Sequence, residues 1–186
     1  MFARHNVPCQ LEAPGRQASV THNVAGFQSP LSAKPVRLRS GRLTDIAELQ
    51  EIESRTFSYC RLSRASFRRF LSSPCASLIV AECGDTIAGY ALVLFHSHGR
   101  IARLYSIAVD PMSGRHGIGS ALLTAAVRAS ERREFKTLRL EVREDNAPAL
   151  NLYRKAGYLE KARLPCYYGD GQDGIRLEKD CLEFPR

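Results

Sequence analysis

Apolar positions along this chain recur in two rhythms, one of period two and one near 3.6, and the alternation of the two predicts its elements. From Pro35 onward VRLR reads as a strand, and Thr44 or Asp45 can cap a helix through IAELQEIESRTF, with Ile46, Leu49 and Ile52 at helical spacing. RLSRASFRRFLSS reads as a second, basic helix. SLIVAEC, a Gly84-Asp85 turn and TIAGYALVLF form a hairpin. RIARLYSIAVD is a strand, GIGSALLTAAVRASER a helix, TLRLEVR a strand and NAPALNLYRKAGY a helix; two short strands around YGDGQDG close the chain. The order β-α-α-β-β-β-α-β-α-β-β predicts a mixed α/β sheet. Met1 to Lys34 lacks either rhythm and carries Pro8, Pro14 and Pro30. It is expected to be a disordered basic leader (1–34) before a single domain over 35–183.

Composition narrows the class. With 186 residues and 44% hydrophobic positions, the chain is long enough to bury one real core. No apolar run approaches a bilayer span, so a membrane role is not expected. Six cysteines form no CxxC pair, which removes zinc-ribbon and thioredoxin-type readings. The leader has no signal-peptide core, so reduced thiols and a cytoplasmic location are the expectation. The net charge of +8 is uneven: residues 1–40 hold five basic residues against Glu12. That suits a phosphate-bearing ligand or an acidic partner, while a solvated basic face is the more common explanation; nucleic acid is not demonstrated.

Candidate chemistry starts at GRHGIGSALL, Gly114 to Leu123, where a strand ends and a helix begins. The first amides of a helix have no partner within it, and their partial positive charge makes an anion site. Gly117 and Gly119 would clear room for a phosphate, with Arg115 as a mobile cation. The run is neither the phosphate loop GxxxxGK followed by Ser or Thr, nor the dinucleotide fingerprint GxGxxG. Tight packing of helix on strand is the competing reading of such glycines.

A second motif decides between these. LRLEVREDNAPALNLYRKAGY, Leu138 to Tyr158, stands downstream. Strand, glycine loop, helix, LEVR strand and N-x-x-A-x-x-L-Y-x-K-x-G-Y resemble the GNAT superfamily of acetyl-CoA-dependent N-acetyltransferases over about Val36 to Cys181. Within it, the LEVR, DN and LY run with a later tyrosine pair is most similar to the bacterial ribosomal-protein alanine N-acetyltransferases. The resemblance implies a GNAT-type mixed central sheet, with acetyl-CoA as co-substrate. Its pyrophosphate would rest on the amides of Arg115, His116, Gly117, Ile118, Gly119 and Ser120. Ile107, Ala108 and Val109 would offer main-chain groups to the pantetheine, which Asn146 would also meet. Gly114 stands where the family carries Gln or Arg, and Arg115 would substitute for it.

Acetyl transfer needs a neutral amine, a stabilised oxyanion and a protonated leaving thiolate. A backbone N–H near Ile107 or Ala108 would serve the oxyanion. Tyr153, seven residues after Asn146 on one helix stripe with Leu150 between, matches the family's general acid; a core aromatic with a satisfied hydroxyl is the other reading. Glu141, twelve residues before Tyr153, matches the family's base. In TLRLEVR it shares a strand face with Arg139 and Arg143, so a surface ion-pair ladder is the competing reading. As a base between arginines it would relay a proton through water. Tyr167 and Tyr168 are candidates for the acceptor site. His96 and His98 lack further ligands, and no metal is assigned.

At pH 7 roughly a tenth of an α-amine is neutral, against well under a thousandth of a lysine. The expected reaction is therefore direct attack by a protein N-terminal α-amine through a tetrahedral intermediate, in a monomer or homodimer. The segment that commonly carries Pro-Trp in the subgroup reads TFSYCRLSRASF, and the chain has no tryptophan. Small amines, aminoacyl-tRNA and a catalytically silent acyl-CoA-binding sensor or interaction module stay open as alternatives.

Overall fold

Strands and helices in the computed structural model, which describes residues 35–58, 61–96, 99–113 and 117–181, follow the two apolar rhythms in the expected order. They are β1 (Val36–Ser40), α1 (Ile46–Thr56), α2 (Arg64–Leu71), β2 (Ala76–Cys83), β3 (Thr86–Phe95) and β4 (Ile101–Val109). Then come α3 (Ile118–Glu131), β5 (Thr137–Arg143), α4 (Ala147–Lys155), β6 (Leu159–Leu164) and β7 (Gly174–Asp180). The expected leader, 1–34, and the end of the chain from 182 lie outside the described residues.

The seven strands form one sheet in the order β1-β2-β3-β4-β5-β7-β6. Strand alternation sends apolar side chains to both faces, and each face is covered by helices. Ile46, Leu49, Ile52 and Phe67 from α1 and α2 pack with Val80, Tyr90, Leu92 and Tyr105. Leu122, Leu123, Ala126 and Val127 from α3 pack, with Leu150 and Tyr153 of α4, on Leu138, Leu140 and Val142. Arg128, Arg132 and Arg133 turn to solvent as their spacing predicts.

One expected cap is corrected. Asp45 stands at the N-cap position of α1 but its carboxylate makes no capping bond to that helix. A short 3-10 turn over Leu43–Asp45 swings it back, where it accepts from the Arg42 amide at 2.7 Å and pairs with Arg39 at 2.7 Å. The ion pair competes better for the carboxylate than a neutral amide does. Asn146, by contrast, caps α4 as its position predicts, its Oδ1 accepting from the Ala149 amide at 3.2 Å.

The feature that positions a site is the parting of β4 from β5. These neighbours are parallel but pair only over Ile101–Arg103 and Thr137–Arg139. β4 carries the cause. Its register against β3 slips where Leu92 and Val93 face Ser106 and Leu104, leaving Tyr105 as an extra residue. Such a bulge bends its strand and increases the local twist. β5 stays in register with β7 from Thr137↔Asp180 to Arg143↔Gly174. β4 therefore leaves with β3 and β5 leaves with β7. Beyond Arg103, the β5-facing edge of β4 has no strand partner among the described residues.

Candidate active site

The open edge of β4 includes Ile107, Ala108 and Val109, whose side chains are buried or half-buried. Their main-chain groups on that edge are the polar atoms a pantetheine arm would need. Asp110 closes the strand: its amide donates to Ala88 O at 2.8 Å, and its carboxylate accepts from the Met112 amide and pairs with Arg55 at 2.8 Å. These bonds tie down the entry to the glycine loop. Gly114, Arg115 and His116 lie outside the described residues.

Gly117 is the N-cap of α3 with φ +69°, a left-handed conformation that favours glycine. The first intrahelical bond runs from the Ala121 amide to Gly117 O, so Ile118, Gly119 and Ser120 form the first turn, whose amides have no intrahelical acceptor. A Cβ on Gly117 would meet nothing within 4 Å, whereas one on Gly119 would stand 3.1 Å from Leu152 Cδ2. Packing of α3 against α4 therefore explains Gly119, and backbone conformation explains Gly117. The space beside Gly117 stays open to a ligand.

Asn146 and Tyr153 lie on the buried stripe of α4. Tyr153 has no exposed surface, and its hydroxyl has no partner among the described residues; Asn146 Nδ2 is likewise buried and unpartnered among them. Buried polar groups are almost always hydrogen-bonded, so these two orphans on one stripe are free to take a ligand's groups; Thr56 Oγ1, Glu131 Oε1 and the Tyr158 and Tyr168 hydroxyls are unpartnered among the described residues as well. Burial pushes the Tyr153 phenol well above its ordinary range, which keeps it protonated at any working pH. The arrangement fits the groups of acetyl-CoA: amides for a pyrophosphate, an open strand edge and Asn146 for a pantetheine, and a neutral hydroxyl within the fold.

Glu141 is not part of a surface ladder with Arg139 and Arg143. It is only 2% exposed, accepts from Arg103 Nε at 2.9 Å and from Arg176 Nε at 3.2 Å, and has Arg103 Nη2 in ion-pair contact at 2.8 Å. The register explains the change: Glu141 sits opposite Arg176 on β7, while Arg139 pairs with Glu178 and Arg143 with Asp145 and Asp170. Arg103 Nη2 also donates to the Tyr167 hydroxyl at 3.0 Å. The Tyr167 and Tyr168 rings meet edge to face at 5.3 Å. Burial raises both phenols; the charge of Glu141 raises Tyr167 further, and Tyr167, Tyr153 and then Glu141 raise Tyr168. The Tyr168 hydroxyl is itself unpartnered among the described residues.

Sequence reasoning missed a buried group on the other face. Glu53 of α1 is 1% exposed; it accepts from the Tyr90 hydroxyl and from the Leu62 amide at 2.5 Å, and Tyr90 bonds Ser106 at 2.9 Å. This network joins the α1–α2 connection to β4. The signal was present: Glu53 lies seven residues after Ile46 and four after Leu49, on the apolar stripe itself. Among the described residues, no group of three or more His, Cys, Asp or Glu side chains stands close enough to share a metal ion. All four described cysteines are free thiols. No helix of the described residues is long and apolar enough to cross a membrane.

Comparison with known proteins meets this geometry. A family model described as "Acetyltransferase (GNAT) family" matches residues 46–158. An N-alpha-acetyltransferase of Sulfurisphaera tokodaii is 33% identical over 162 residues, which is 81% of this chain and 96% of that protein. Among solved structures, the ribosomal-protein-S18-alanine N-acetyltransferase from Escherichia coli superposes with a TM-score of 0.71 at 28% identity, covering 82% of this chain and 97% of that one. Ard1 from Thermoplasma volcanium gives 0.73 at 27% identity, covering 80% and 99%.

Proposed function

Because this chain belongs to the acetyltransferase (GNAT) family, we propose that it acetylates the α-amine of protein N-termini. The chain is an acetyltransferase, and enzymes of this family use acetyl-CoA as co-substrate. Acetyl-CoA supplies the acetyl group as a thioester and leaves as a thiolate. The observation that carries the reading is the pair of unpartnered buried groups, Asn146 Nδ2 and Tyr153 OH, on the stripe of α4.

In this reading the amides of Ile118, Gly119 and Ser120, with Gly117 and the loop before it (Arg115, His116), hold the pyrophosphate. Ile107, Ala108, Val109 and Asn146 hold the pantetheine. The hydroxyl of Tyr153 donates its proton to the departing sulfur, and Glu141 takes one from the incoming amine through water. An amide N–H at Ile107 or Ala108 receives the developing oxyanion. The relatives named for N-terminal acetylation support the acceptor class. Physical chemistry agrees, because a base already engaged by two guanidiniums suits an amine that is partly neutral at pH 7. Residues 1–34 are proposed to be dispensable for this chemistry, which the domain over 35–183 carries in the cytoplasm.

Thiol release from acetyl-CoA, measured across peptides with free or blocked N-termini, lysine side chains, small amines and aminoacyl-tRNA, tests the proposal. Transfer to free N-termini and not to blocked ones is the expected result. Tight acetyl-CoA binding with no turnover on any acceptor would replace it with the silent sensor.

A further inference from the structure

Beside Glu141 the sheet opens into a cleft of about 400 Å³ lined by His96, Arg103, Arg139, Glu141, Tyr167 and Arg176. Three guanidiniums in so small a space are unusual, because like charges repel unless anions separate them. Two carboxylates do so here. Glu141 takes Arg103 and Arg176, and Glu178 takes Arg139 Nε at 2.7 Å. The cleft still holds one more cation than anion. Arg139 and Arg176 remain about a third exposed, and their known bonds engage the Nε of each. Each guanidinium has five N–H donors in a fixed fork, so donors remain on both to receive a carboxylate.

We infer that this cleft binds a carboxylate of the acceptor, and that the enzyme selects N-terminal peptides with an acidic side chain close behind the α-amine. The inference rests on the acceptor reading given above. Its own basis is the placement of the arginines. Arg139 and Glu141 are two residues apart on one face of β5, with Arg176 directly across the ladder from Glu141. A carboxylate held by Arg139 and Arg176 would therefore lie within a residue or two of the base that meets the amine. Cross-strand neighbours on one face are about 5 Å apart, roughly the reach between an N-terminal nitrogen and the side chain of the next residue. Tyr167, held by Arg103, forms an uncharged wall that leaves the guanidinium forks as the specific contact.

The test compares kcat/KM for amidated peptides that begin with the same residue and carry Asp or Glu, Gln, or Lys at positions two and three. Free glutamate and aspartate form a separate arm. Acidic peptides should exceed the Gln series by about tenfold or more, the worth of one charge-assisted pair. The preference should appear in KM and shrink with salt. Anisotropy of labelled peptides on the CoA-saturated protein should show the same order in binding alone. Arg139→Gln should narrow the acidic-to-neutral ratio and Arg139→Lys should restore part of it, with melting curves to establish that both variants fold. Equal kcat/KM for acidic, neutral and basic peptides overturns the carboxylate site and leaves the peptide reading intact. Transfer to free glutamate or aspartate and to no peptide overturns the peptide reading and keeps the site. No transfer to any acceptor overturns both.

Discussion

Arg103 holds Glu141 through a hydrogen bond from Nε at 2.9 Å and an ion-pair contact from Nη2 at 2.8 Å, at the point where β4 and β5 stop pairing. One ion pair thus joins the two strands whose separation makes the site. Glu141→Gln keeps the shape and removes the charge. If the carboxylate relays the amine's proton, kcat/KM falls at pH 7 and the deficit shrinks as pH approaches the amine's own ionisation. A structural tie alone would give a deficit that is constant with pH and a lower melting temperature. The pH profile of variant against native enzyme separates these. The deficit is expected to shrink, and to be larger for a lysine side chain than for an α-amine.

Tyr153→Phe has an unusual expected signature. The hydroxyl is buried and unpartnered, so its removal costs the fold nothing and restores a close-packed apolar contact. Melting temperature should hold or rise slightly. kcat should fall by roughly 10²- to 10⁴-fold, the usual worth of a general acid, with little change in acetyl-CoA affinity. Since burial raises the phenol above its ordinary range, native activity should show no limb from its ionisation below pH 10. A variant with near-native kcat, measured where chemistry limits the rate, would move the acid to Tyr168 or Tyr167.

The element order was legible because each element keeps its own period: Leu122, Leu123, Ala126 and Val127 step along a helix, and Leu138, Leu140 and Val142 alternate along a strand. Asn146 and Tyr153 could be placed on one stripe for the same reason. Ion partners were not legible. Glu141 sits between Arg139 and Arg143 in sequence but pairs with Arg103 and Arg176, which only the β5–β7 register and the neighbouring β4 bring near. The parting of β4 from β5 was hidden as well, since it depends on the extra residue at Tyr105 and nothing in RLYSIAVD announces a bulge. Gly117 and Gly119 looked alike in sequence and differ in cause, because only one faces another helix.

Burial raises the Glu53 carboxyl above 4.5, against the opposing pull of its bonds to Tyr90 and Leu62. The folded protein therefore holds this proton at pH values where the unfolded chain has released it. Stability from this group is fully present below about pH 4.5 and is lost as pH rises through the raised native value. Glu53→Gln removes the titration while all other groups cancel in the comparison. From pH 4 to 7 the melting temperature of native protein should fall relative to the variant. A gap that stays flat or moves the other way would show that the bonds to Tyr90 and Leu62 outweigh desolvation.

Gly119 offers a separation of packing from ligand binding. Its absent Cβ would lie 3.1 Å from Leu152 Cδ2 on α4, so Gly119→Ala forces that side chain to move by a few tenths of an ångström. The strain should lower stability by about 1 kcal/mol, the scale of modest overpacking. Leu152→Ala alone should also destabilise, because it opens space beside a half-buried side chain. In the double variant the methyl added at 119 fills part of that space, and the two costs should sum to more than the double variant shows. Gly117→Ala behaves differently: it has open space but a φ of +69°, so its cost of about 1–2 kcal/mol is conformational and adds to Leu152→Ala without coupling. Urea midpoints for the five proteins and the native chain measure both cycles. Acetyl-CoA titration of the same set then shows whether Gly119→Ala binds normally once Leu152→Ala relieves the clash. Restored affinity in that double variant is expected, because the α3 amides and not the missing side chain face the phosphate; affinity that stays low would return Gly119 to the phosphate surface.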